Sequence, residues 1–103
     1  MTDRSQVITL PDAIAMTARA RKMQLLPINA WLFDRQILDQ ILGQPGATGI
    51  RFYVGVDASI KPTLVAVGVT SDDKDMTAGT LGEYGMPCPP YCDDGSALLL
   101  GEP

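Results

Sequence analysis

The residues of this chain best suited to chemistry lie in Met86 to Cys92, MPCPPYC, where two cysteines four apart flank Pro89, Pro90 and Tyr91. Three roles fit that spacing. A local disulfide would close a five-residue ring and contribute at most about 2 kcal/mol, less because proline already stiffens the unfolded loop. A zinc site wants about four ligands, and two thiolates without imidazole reach that number only if two copies share the ion. A redox pair is the third role, but C-x-x-x-C is not the C-x-x-C of thioredoxin-like proteins, and no strand–helix context of that type surrounds it. Cys88 and Cys92 are therefore first a structural pair, as a local disulfide or as reduced and inert thiols, and after that shared metal ligands, bonds between copies or a redox pair, in that order.

The remaining chemistry is sparse. The chain has no histidine, so the usual general base, the commonest metal ligand and the near-neutral pH switch are missing. Asp72, Asp73 and Asp75 resemble a calcium loop but lack its glycine and terminal glutamate. Pro87 to Pro90 matches P-x-x-P, a pattern more often a stiff turn than a ligand for aromatic grooves. Arg19, Arg21 and Lys22 cluster near a helix end, where dipole complementation explains them better than an anion site. Trp31 is expected in the core, in preference to a role as a binding aromatic. No Gly-rich phosphate loop, nucleophile elbow or carboxylate pair in apolar surroundings is visible. No catalytic residue and no cofactor is assigned.

Positioning these residues falls to a hairpin. In residues 50–56 Ile50, Phe52, Val54 and Val56 alternate with Arg51, Tyr53 and Gly55, and in residues 63–69 the valines recur at every second place. With 58–61 as the loop, Val54 should face Val65, Phe52 face Val67 and Ile50 face Val69, bringing the apolar sets to one side. The other side would hold Arg51, Tyr53, Gly55 and Gly68, a candidate ligand face; simple strand tolerance explains its two glycines better than something approaching the backbone closely. Ahead of the hairpin, Thr9 opens a helix over 10–23 whose stripe is Leu10, Ala13, Met16, Ala20 and Met23. Residues 28–33, INAWLF, read as a short strand. Asp34 caps a second helix with Ile37, Leu38, Ile41 and Leu42 inward, Phe33 stapling onto Leu38, and Gly43 as its stop.

The expected architecture is α+β, with two helices on one face of a small, mostly antiparallel sheet. Residues 1–75 form the body. Residues 76–103, rich in Gly, Pro and Asp, form an extended tail of the same domain.

Bulk properties narrow the function. The 103 residues are 46% hydrophobic and 19% charged, as in a globular domain. The net charge of −4 argues against nucleic-acid binding. It is uneven: residues 1–71 carry seven basic and five acidic groups (+2), and residues 72–103 carry one and seven (−6). No apolar run reaches the length of a membrane span, and MTDRSQVITLPD lacks the long apolar core of a secretory signal. A cytoplasmic location is expected, with export by another route left open.

The stretches GIRFYVGVD, PTLVAVGV and PCPPYCDD together resemble a group of short, uncharacterised bacterial proteins that share an aliphatic hairpin and end in a C-P-P-x-C segment. The resemblance covers roughly residues 28–94, and Cys88, Pro89, Pro90 and Cys92 are its most specific part. It implies a shared role for the cysteine segment, and neither an activity nor a catalytic residue.

The expectation is a non-enzymatic interaction protein that associates with copies of itself. Strand edges at INAWLF and in the tail would pair between copies. Pro89, Pro90 and Tyr91 would aim the tail, and Leu98, Leu99 and Leu100 would anchor it on a neighbour. The alternative is a thiol-based metal or redox protein using Cys88 and Cys92.

Overall fold

The fold is built around one central strand, Pro62–Val69, which has a neighbour on each side. The computed structural model describes residues 5–101; the first residues of the expected lead-in and the last two of the expected tail lie outside them. In chain order the elements are α1 (Leu10–Met23), β1 (Ala30–Leu32), α2 (Arg35–Leu42), β2 (Gly49–Val56), β3 (Pro62–Val69), β4 (Leu81–Gly82), β5 (Met86–Cys88) and α3 (Ala97–Leu100). They make two antiparallel sheets, β2-β3-β4 and β1-β5. The fold is a small α+β one, as expected. Its helices are divided: α2 lies over the three-stranded sheet, and α1 packs against α3.

The hairpin is present, but its register differs by one residue from the expected one. Phe52 faces Ala66, Val54 faces Leu64 and Ile50 faces Gly68. The loop is the reason. It spans residues 57–61, with the Asp57 N–H donating to Lys61 O at 2.9 Å and Ile60 N–H to Asp57 O. The Asp57 carboxylate also accepts from the N–H groups of Ser59 and Lys61. A five-residue loop in place of four moves every cross-strand pair by one. Residues Val65, Val67 and Val69 thus share a face with Arg51 and Tyr53, and Gly68 lies on the opposite face from them.

Closing this loop puts Ile60 at φ 61 while its side chain is 84% exposed. A β-branched residue in the left-handed region costs about 1–2 kcal/mol. Ile60→Gly is therefore expected to stabilise the protein by about 1 kcal/mol, read as a higher urea midpoint at unchanged slope. A lower midpoint would mean that Ile60 contributes packing that its exposure does not indicate.

Small residues on the α2 side of the sheet let the helix come close. Ile41 is fully buried. A Cβ on Gly68 would lie 3.3 Å from Ile41 Cγ2, and one on Gly82 would lie 2.9 Å from Ile37 Cγ1. Gly68 is thus closely approached, against the preferred reading of simple strand tolerance, whereas Gly55 fits that reading, with only ordinary contacts to Thr63 and Val65. Gln44 then ties the end of α2 to the chain before β4. Its Nε2 donates to Ile41 O at 2.8 Å and its Oε1 accepts from Thr80 N–H at 2.8 Å. Phe33 turns onto Phe52, with ring centroids 5.5 Å apart. Gly43 ends α2 with φ −76, in the right-handed region, so its stop does not use the left-handed freedom of glycine.

Helix α1 starts as read: Thr9 Oγ1 accepts from Asp12 N–H at 3.2 Å. Its covered side is offset from the expected stripe. Ala13, Ile14, Thr17, Ala18 and Arg21 are partly covered, and Met16 and Met23 are exposed. The Arg21 guanidinium donates to Leu98 O, clasping α3.

Candidate interaction surfaces

The cysteine turn is built by backbone bonds before any sulfur chemistry is considered. Asn29 N–H donates to Cys88 O at 2.6 Å, and Tyr91 N–H to Pro87 O at 2.9 Å. Pairing of Ala30 with Cys88 and of Trp31 with Pro87 fixes β5 against β1. Cys88 is buried and Cys92 half-buried. They stand at disulfide distance, their Cα atoms 4.9 Å apart. A concavity of about 320 Å³ lies beside them, its wall including Trp31, Cys88, Tyr91, Cys92 and Leu99 with Arg21 at the edge.

The groups around this pair bear on its chemistry. A reactive thiol needs cationic neighbours that favour the thiolate. Cys92 is followed by the exposed residues Asp93 and Asp94, and Arg21 lines the same concavity as the pair. Among the described residues no three His, Cys, Asp or Glu side chains come together as a metal site. Asp72, Asp73 and Asp75 serve the turn and the sheet instead. Thr70 Oγ1 bonds Asp72, Thr70 N–H donates to Lys74 O at 2.9 Å, and Asp75 accepts from Arg51 and Tyr53. The Arg51 pKa is raised above its ordinary value, first by hydrogen bonding with Tyr53 and then by the Asp75 carboxylate. Since Asp75 pairs with Val69 and Arg51 with Val67, this ion pair crosses over β3 above two buried valines.

Removing both thiols should therefore cost little. Cys88→Ser with Cys92→Ser is expected to lower stability by less than about 2 kcal/mol, read by urea unfolding of oxidised wild type and variant. Loss of the folded state would instead make the pair the main support of the β1-β5 ladder.

The tail lies against its own chain. Its expected reach to a neighbour is replaced by two local partners: β5 takes the free edge of β1, within INAWLF, and α3 docks on α1. Leu98 and Leu99 both line the concavity, Leu98 from a partly exposed position, and Leu100 stays exposed. Pro89, Pro90 and Tyr91 form an exposed turn. Trp31, expected in the core, is half-buried in the concavity wall.

Sequence reasoning missed the outer edge of β2. This eight-residue strand pairs with β3 on one side only. Phe52, Tyr53, Val54 and Val56 are all exposed there, Val54 at 68% and Val56 at 67%. The apolar alternation was the available signal; which side would lie free depends on strand order, which alternation does not carry.

Comparison with protein-family models, with curated proteins and with solved structures finds no match to this chain.

Proposed function

We propose that this is a non-enzymatic interaction protein that associates with copies of itself. The observation that carries the reading is uncovered apolar surface. The buried apolar side chains of the described residues are Ile41, Ala66, Val67, Val69 and Cys88, and a much larger set, from Val7 to Leu100, stands exposed. A standard interface covers roughly 800 Å² on each partner, and the exposed apolar side chains of the described residues supply surface for one. A second copy would cover it without any other component.

Mass action gives the test. Association that stabilises the fold makes the thermal midpoint depend on concentration. Diluting the protein roughly hundredfold is expected to lower that midpoint by several degrees. A midpoint independent of concentration would remove the reading.

A thiol-based metal or redox role is the second reading, favoured by the half-buried Cys92 beside an apolar concavity. Metal analysis and thiol titration of the purified protein separate it from the first. The same cysteines bear on location. Among the described residues no helix is long and apolar enough to cross a membrane. A disulfide persists in oxidising compartments and is rare in the cytosol, so a cytoplasmic location goes with the reduced form of this pair.

A further inference from the structure

We propose that two copies pair edge to edge through β2, antiparallel, about a twofold axis at Tyr53, joining their two three-stranded sheets into one. This deepens the self-association reading and rests on it.

The backbone determines which groups are free. On β3, the Val69 carbonyl accepts from Thr48 and points toward β2, while the Gly68 carbonyl accepts from Met76 and points away. Odd-numbered β3 residues therefore bond β2. Their partners across the register, Gly49, Arg51, Tyr53 and Gly55, are odd as well. The N–H and C=O groups of Ile50, Phe52, Val54 and Val56 thus face outward, and no backbone bond to another segment satisfies them among the described residues. A long apolar edge with a full row of free groups is a template for another strand.

The strand is complementary to itself in one register. With Tyr53 opposite the partner's Tyr53, Phe52 meets the partner's Val54 and Ile50 meets the partner's Val56. All four outward residues then bond in both directions. Centring the axis on Phe52 or on Val54 sends one of them past the end of the partner's strand. Centring it on Arg51 sets two guanidinium groups face to face, which destabilises a cross-strand pair. In the Tyr53 register Arg51 instead faces the partner's Gly55, where no side chain competes for space, and Asp57 faces the partner's Gly49. The exposed Val54 and Val56 gain cover from the partner's Phe52 and Ile50. A twofold contact of this kind closes on itself and stops at a dimer.

The test uses the full chain with Tyr53→Cys. Facing residues of a non-hydrogen-bonded antiparallel pair have Cα atoms about 4.5 Å apart, within disulfide reach. Under mild oxidation Tyr53→Cys is expected to form a covalent dimer at least roughly tenfold faster than Val54→Cys or Val56→Cys, whose counterparts lie elsewhere. Equal rates, or a faster Val54→Cys, would overturn the register. Hydrogen exchange on the unaltered protein provides a second measurement that needs no substitution. The amides of Phe52 and Val54 should slow as concentration rises. Free exchange at those amides in a protein that is dimeric by mass overturns this interface and leaves self-association standing. A monomer at every concentration overturns both.

Discussion

Val54→Lys is expected to turn the protein into a monomer without unfolding it. Val54 is 68% exposed on its own chain, so the isolated fold loses little. Lysine on a strand edge is a common natural guard against pairing. In a β2 dimer each new ammonium would face the partner's Phe52, and both would lose water without gaining an anion. An interface weakened by several kcal/mol has a Kd more than about a hundredfold higher. Sedimentation should show the lower mass while the urea midpoint, measured at low concentration, stays near wild type. An unchanged mass would move the contact to another surface, and a collapsed midpoint would show that Val54 supports the monomer.

Ile41→Ala should have the largest effect on stability. Ile41 is the one large side chain of the described residues that is fully buried, seated where Gly68 leaves space for it. Truncating a buried isoleucine costs about 2–5 kcal/mol, against a total of about 5–15 kcal/mol for a typical domain. The urea midpoint should fall accordingly. Leu42→Ala, on the exposed side of the same helix, should cost less than about 1 kcal/mol. Equal costs for the two would mean that α2 is not held to the sheet by Ile41.

Much of the fold could be read from local pattern. Alternation marked β2 and β3, Thr9 marked the start of α1, and the spacing of Ile37, Leu38 and Ile41 marked the inner face of α2, although Leu42, read as inward with them, is 47% exposed. The misreadings share a cause: each depends on a partner distant in the chain or on side-chain bonds inside a loop. The hairpin register turned on the Asp57 carboxylate, which draws Ser59 and Lys61 into a five-residue loop. The face of α1 turned on which helix covers it, and α3 covers the side carrying Arg21 instead of Met16 and Met23. The tail looked free because its cysteine turn has little periodicity, yet β5 finds β1 and completes its edge. The two glycines divide: Gly55 is simply tolerated in its strand, the preferred reading, and Gly68 is closely approached, because only Gly68 lies beneath α2.

Self-association is proposed from the apolar side chains that one copy leaves exposed. Light scattering on the eluting protein measures this most directly, since it reads mass without a shape assumption. The predicted result is about twice 11.0 kDa at micromolar concentration, falling toward the single-chain mass on dilution. A constant 11.0 kDa across that range would contradict it.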